Sequence, residues 1–457
     1  MGGLWVRYAL ALVATLLFIP PAHLATAHVA ITTPDTRVER TIPLPGVQPF
    51  GLLLDAPDRR GFVFAETPDN RGFIGIINVG TGQLMRRVIV PDTPGAVAVA
   101  DGRLLVTGKS HQGSLGTVSI LEARSGALIH VTPLDMSGDA IAVDGPLGHA
   151  FVETLNPDAI AMLDARTGAV LHTTPVPSSG DAGLAVDARS DLLFASTGYG
   201  APGAPTGGIS VLNARTGALL RTLPVAADAS RIILSAAESR SYVINSTDFA
   251  QLIDTRHGTL LGSVFVGSGP LLIDDASGHA FGNDDSGPNL VRMVDARSGR
   301  LLRVVNVGVD VVEEASDPTT HRIFVRSSCD GMAVLNSISG ALLRTTGLDC
   351  TDDRQNAIAS GNGTLAVDEA RQRVYAASLG PTTSDGSTSG HGNVAVLDAG
   401  NGALIQTIAA GVSPIAIAAD RRTGRVFVVD EGGEVQATTG RTHTEPGGVI
   451  ILDATHT

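Results

Sequence analysis

The chain has 457 residues, among them 54 Gly and 24 Pro, with 17% charged residues and a formal net charge of −13. A hydrophobic fraction of 43% excludes a disordered polymer. The acidic balance, with no run of Lys or Arg, excludes nucleic acid and anionic membrane surfaces as partners, because both need basic patches.

In chain order, the first element is a leader. Arg7 is the only charge before the apolar run at 8–19, which is too short for a comfortable bilayer span and suits the core of a signal peptide. Pro20 and Pro21 end the run, and Ala25 and Ala27 place small residues where a signal peptidase reads. Residues 1–27 are therefore expected to be cleaved after Ala27, 28–37 to form a lead-in, and 38–457 to form one domain. No cysteine follows the run to carry a lipid, and no later stretch is suited to spanning a bilayer. The mature protein is expected to be secreted or held in the cell envelope, soluble and monomeric.

The segment 37–45, RVERTIPLP, reads as an orphan strand with its exit. After it one phrase recurs: 76–84 (IINVGTGQL), 120–128 (ILEARSGAL), 162–170 (MLDARTGAV), 211–219 (VLNARTGAL), 252–260 (LIDTRHGTL), 293–301 (MVDARSGRL), 334–342 (VLNSISGAL) and 396–404 (VLDAGNGAL). A ninth copy, ILDATHT, occupies 451–457. In each full copy an apolar strand meets a polar residue, a short linker, then Gly and a second strand. The polar residue bonds the turn's own backbone and the Gly supplies left-handed backbone, so the phrase predicts a β-hairpin. Gly217, Gly258, Gly299 and Gly340 stand 41 residues apart, and the other intervals run from 42 to 62. A period near 40 built from several short strands is the signature of a propeller blade.

Two more strands complete each unit. The first is rich in small residues, as in PIAIAAD (414–420) and GDAIAVD (138–144), and suits the crowded strand nearest a central channel. The second carries an aromatic: Phe62, Phe151, Phe194, Tyr242, Phe281, Phe324, Tyr375 or Phe427, with Leu105 in the second unit. One large apolar side chain per unit at a fixed position predicts core between blades. The fold class is therefore all-β, a propeller of four-stranded blades. Nine units are counted, with seven or eight as the alternative ring sizes. The chain ends after a third strand, so the orphan N-terminal strand is expected to complete the last blade and close the ring.

Tyr242-Val243-Ile244-Asn245 resembles the Tyr-Val-Thr-Asn element of the bacterial YVTN-repeat β-propellers. Val396, Leu397, Asp398 and Gly402 match the hairpin of that family. The resemblance covers 38–457 and implies the propeller fold. It implies no activity, since the matching residues serve turns and core.

With strands named A to D from the channel outward, A–B and C–D turns share one face, and B–C and D–A loops share the other. The irregular insertions fall on the B–C/D–A face: 108–116, 197–208, 283–289, 378–392, 430–448 and the D–A segment 348–363. Cys329 and Cys350 lie there at one blade boundary, and export permits a disulfide between them. Acidic residues also collect there: Asp284, Asp285, Asp330, Asp349, Asp352, Asp353, Glu431 and Glu434. Oxygen-rich loops bind calcium, but none here has the spacing of a known calcium loop, and solvated loops are the plainer reading. His111, His391 and His443 come from separate insertions, so a shared metal is not expected.

On the innermost strands, Arg231 and Glu313, beside Glu314, stand where other units carry Gly51, Ala96, Ala140, Gly183 and Ala416. Charges there must face channel water or pair. An Arg231–Glu313 contact across the channel is the expected structural role, with ligand binding as the alternative. No nucleophile elbow, P-loop, zinc-protease helix or dinucleotide fingerprint is present. The sequence thus favours a non-catalytic binding scaffold for a protein, peptide or glycan, using the B–C/D–A face. The competing reading is a propeller enzyme (a lactonase-like hydrolase, a lyase or a quinoprotein-like oxidoreductase) with its site at the channel mouth.

Overall fold

A computed structural model describes residues 36–454. Internal stretches at 110–115, 135–136, 156–157, 177–182, 198–207, 226–228, 236, 246–247, 268, 285–286, 288, 328–330, 349–363, 380–390 and 437–441 fall outside the description. The described chain is all-β. Nine separate four-stranded antiparallel sheets follow one another as propeller blades. Blade 1 shows the pattern, with strand A at Gln48–Asp55, B at Arg60–Glu66, C at Gly72–Asn78 and D at Gln83–Val90.

Each sheet lies face to face with its neighbours, so B and C strands are covered on both sides. Strand B of blade 1 is buried at five consecutive positions and strand C at six. This is why these strands read as continuous apolar runs rather than alternating ones. The eight recurring aromatics are all among the largest fully buried side chains, and Leu105 is equally buried. Each separates two blades: Phe281, for example, packs with Ile323 and Val325 of blade 7. Tyr242 also donates its hydroxyl to the Ala296 carbonyl at 2.8 Å, which satisfies a polar atom inside the core. The D strands form the outer wall, and the leucines that open them, such as Leu219 and Leu220, lie 41% and 49% exposed. The apolar character of the D strand is thus surface rather than core.

The recurring phrase folds as the C–D turn. Asp164 accepts hydrogen bonds from the backbone N–H groups of Arg166 (3.0 Å) and Thr167 (2.7 Å), and Asn213 repeats this with Arg215 and Thr216, both at 3.0 Å. Gly168 and Gly217 complete the turns at φ +79° and +75°, in the left-handed region that glycine tolerates.

Blade 9 closes the ring. Its strands A (Pro414–Asp420), B (Arg425–Gln436) and C (Thr442–Asp453) come from the C-terminal end, and its outermost strand is Arg37–Pro43. The register runs Arg37↔Asp453 through Pro43↔Gly448. Arg425 clamps Glu39 with two nitrogens, at 2.6 and 2.9 Å.

Candidate functional site on the loop face

The insertion at 430–448 is not a loop, as the sequence suggested, but an extension of strands B and C. Pairing continues past Asp430↔Gly448 through Gly432↔Pro446 and Val435↔His443 to Gln436↔Thr442. Strand A ends its pairing at Pro414↔Asp430, and strand D ends at Pro43↔Gly448. The hairpin therefore rises beyond its own blade on the B–C/D–A face.

Its root is held by Asp430. That carboxylate accepts backbone N–H groups from Val412 (3.0 Å), Ser413 (2.7 Å) and Gly432 (3.2 Å). Burial pushes the Asp430 carboxyl above its ordinary range, against those three hydrogen bonds. Further out, Glu445 draws two histidines together: His443 Nε2 lies 3.1 Å from one carboxylate oxygen and His391 Nε2 lies 3.3 Å from the other. Gln48 at the start of blade 1 donates to Glu431. A groove of about 690 Å³ runs between the hairpin and blade 1, and a second depression of about 320 Å³ lies beside Glu445, His391 and Asp430. The larger groove has Glu66, Glu431 and Glu445 in its walls with Pro45, Pro68 and Pro446, and no Lys or Arg. On the opposite face, a hollow of about 410 Å³ is lined by Arg59, Arg60 and an Arg124–Asp58 ion pair (2.8 Å) whose arginine is 71% exposed.

The channel residues separate rather than meet as expected. Arg231 lies on strand A of blade 5 (Ala229–Ser235), and Glu313 and Glu314 on strand A of blade 7 (Glu313–Asp317). Glu313 does not reach Arg231. It turns to blade 8, where it accepts the Thr364 N–H (3.0 Å), the Thr364 hydroxyl (2.6 Å) and the Leu365 N–H (3.2 Å). Its cross-strand partner is Arg326, which donates to Thr364 Oγ1 (3.0 Å) and the Ala377 carbonyl (2.8 Å). Blades 7 and 8 are thus joined by a polar clasp around the buried Arg326 guanidinium. Successive side chains of a strand point to opposite sides, so Glu314 turns the other way, toward blade 6. Arg231 is the charge that bears on it.

Sequence reading missed Arg326 and Glu445. Arg326 had only a faint signal: it is the one cation at a position where aligned units carry Phe64, Thr107, Glu153, Ser196, Ile244, Asn283, Ala377 and Val429. Glu445 had none, because only the extended hairpin register sets it between the histidines. Cys329, Cys350, Asp352 and Asp353 lie outside the described residues, as do His111, Asp285, Asp330 and Asp349. Among the described residues, no group of three or more His, Cys, Asp or Glu side chains is arranged to hold a metal ion, and no helix is long and apolar enough to cross a membrane.

No family model matches the chain, and no curated protein matches it in sequence. Among solved structures, the fold is similar to the crystal structure of BamB from Moraxella catarrhalis. The TM-score is 0.48 and the identity 19%, over 75% of this chain and 96% of that one.

Proposed function

We propose that the protein is an exported, non-catalytic propeller scaffold that docks a protein or peptide through its B–C/D–A face, at the groove beside the blade-9 hairpin. The observation that carries this is the hairpin itself. Twelve-residue strands B and C outgrow the four-stranded blade and wall a groove of about 690 Å³ against blade 1. Loops and extensions on a rigid ring are where binding residues gather. The repeat is read as YVTN type on Tyr242–Asn245 and on Val396, Leu397, Asp398 and Gly402. Export rests on the leader at 1–27, and a bridge between Cys329 and Cys350 suits that compartment.

The test replaces 433–445 with an Asn-Gly turn and compares in-cell crosslinking of intact and trimmed chains. Loss of a specific crosslinked partner, with thermal stability retained, is the expected result; an unchanged partner set would sink the proposal. Metal analysis of purified protein separates the enzyme reading, for which stoichiometric calcium or a transition metal would speak. No metal or cofactor is assigned.

A further inference from the structure

On the A–B/C–D face one contact recurs from blade to blade. The A–B turn ends on a left-handed residue whose carbonyl accepts the N–H of the second residue of the C–D turn. Val79 donates to Arg59 at 3.1 Å in blade 1, Ala214 to Asp191 at 2.8 Å in blade 4 and Thr255 to Ser239 at 3.1 Å in blade 5. The bond sets the left-handed residue beside the third residue of the C–D turn, which is Gly80, Arg215 and Arg256 in those blades. In blade 4 the pair is closed by Arg215 Nε on Asp191 at 2.8 Å. In blade 5 it is closed by Arg256 Nε on the Ser239 hydroxyl at 3.0 Å.

Blade 1 inverts this order. Its cation, Arg59, takes the left-handed position at φ +56°, and a glycine stands where the turn arginine would be. A Cβ on Gly80 would collide with Arg59 Nη2, so the absent side chain leaves room for the guanidinium over the turn. Arg59 thereby lacks the partner that closes the other turns. It is exposed, and among the described residues its guanidinium has no hydrogen bond or ion pair.

The hollow of about 410 Å³ opens at this point. Arg60 commits Nε and Nη1 to the carbonyls of Arg124, Asp58 and Arg59, which leaves its Nη2. Arg124 gives Nη2 to Asp58 and is otherwise exposed. Three guanidiniums therefore line the hollow with one carboxylate. Arg425, which reaches the Gly80 carbonyl, is already paired with Glu39.

We propose that this hollow binds a phosphate dianion, free or as the monoester of a small polar molecule, with Arg59 as its principal partner and Arg60 and Arg124 beside it. Guanidinium presents its donors in a fork that matches phosphate oxygens. A phosphate monoester carries about −1.5 to −2 at pH 7, which balances the excess of cations; a carboxylate would balance only half of it. Asn78 and Thr81 add neutral hydrogen-bonding groups to the wall. The volume falls in the range usual for small-ligand sites, about 300–1,000 Å³. This site lies on the opposite face from the groove and does not depend on it.

The full purified chain is titrated calorimetrically with glycerol phosphate, glycerate, glycerol and inorganic phosphate at about pH 7.5, where the ester is close to doubly charged. Saturable one-to-one binding of glycerol phosphate is expected, with glycerate at least tenfold weaker and glycerol not binding. Inorganic phosphate binding as tightly as the ester identifies the free ion as the ligand, and weaker binding identifies the ester. Arg59→Gln is expected to weaken the interaction at least tenfold. Its turn is preserved, because Gln372 holds the same left-handed position in blade 8 at φ +52°. Gly80→Asp, which gives Arg59 a carboxylate partner, is expected to weaken binding as much. Arg215→Gln, on the closed blade-4 turn, leaves it unchanged. The proposal is overturned by no saturable binding of the ester or of inorganic phosphate up to about 10 mM, a concentration that would reveal even millimolar affinity. Glycerate binding as tightly as the ester, binding that Arg59→Gln leaves intact, or an equal loss in Arg215→Gln overturns it as well.

Discussion

Thr174, near the end of strand D in blade 3, donates its hydroxyl to the carbonyl of Gly217, the turn glycine of blade 4, at 2.6 Å. Thr132 makes the same bond to Gly168, and Thr346 to Gly402, both at 2.7 Å. The recurring phrase therefore does more than turn the chain. A threonine four residues beyond the phrase hooks each of these blades to the turn of the next, where the glycine carbonyl would otherwise be left partly unsatisfied.

The hook makes the turn glycines doubly constrained. A Cβ on Gly168 would meet Ile120 Cδ1 at 2.3 Å as well as sit at positive φ, whereas a Cβ on Gly148, at φ +67°, meets nothing within 4 Å. Gly148→Ala is expected to cost only the left-handed backbone penalty, roughly 1–2 kcal/mol. Gly168→Ala is expected to cost clearly more, and Thr174→Val about 1 kcal/mol for one buried hydrogen bond. Urea denaturation of the three variants checks the order; equal effects for the two glycines would contradict it.

The clasp between blades 7 and 8 should be the least forgiving boundary. Arg326 is 2% exposed, and its removal leaves the half-buried Glu313 without the cation that faces it across the strands and Thr364 and Ala377 without a donor. Arg326→Ala is expected to destabilise by about 2–4 kcal/mol, from the loss of charge-assisted hydrogen bonds and packing at a buried site. Glu313→Gln, which keeps an acceptor for Thr364, should cost less. Hydrogen exchange of the 364–378 amides is the sensitive readout, and Arg326→Ala should raise it selectively.

Glu314 predicts a pH dependence of stability. Its folded pKa is raised above the ordinary carboxylate value, to about 8. A raised carboxylate contributes stability that is fully present below its unfolded pKa, and this is lost as pH rises through the folded one. Melting temperature should therefore fall between about pH 5 and pH 8 by an increment that Glu314→Gln abolishes. Parallel curves for parent and variant across that range would refute the assignment.

Ring closure depends on seven residues at the opposite end of the chain from their partners. Deleting 36–43 removes the Glu39–Arg425 pair and uncovers the strand C edge at Val449–Asp453. An open edge of that length pairs with other chains. The deletion is expected to convert the protein to dimers or larger species on size-exclusion chromatography with light scattering. A well-folded monomer would show that closure is dispensable.

The repeating blade, the closing strand and the aromatic ladder were legible in the sequence because each rests on local chemistry repeated from unit to unit. An Asx–Gly turn, a doubly buried strand and a large apolar residue at a fixed step need no knowledge of distant residues. The sites were not legible to the same degree. Arg231, Glu313 and Glu314 stood out as charges on an inner strand, yet their partners depend on which side of the strand each one faces. That side is set by the bulge after Ala229, by the register of blade 7 and by the short strand of blade 6. Likewise 430–448 read as a loop because Gly, Pro and Thr dominate it, while pairing across Gly432–Gln436 makes it a hairpin. The sequence alone determined the repeating unit and counted nine copies with seven or eight left open, and the nine sheets fixed the number. Tertiary structure decided which unlike residues meet, because those contacts arise between blades, where stacking geometry rather than local propensity sets the distances.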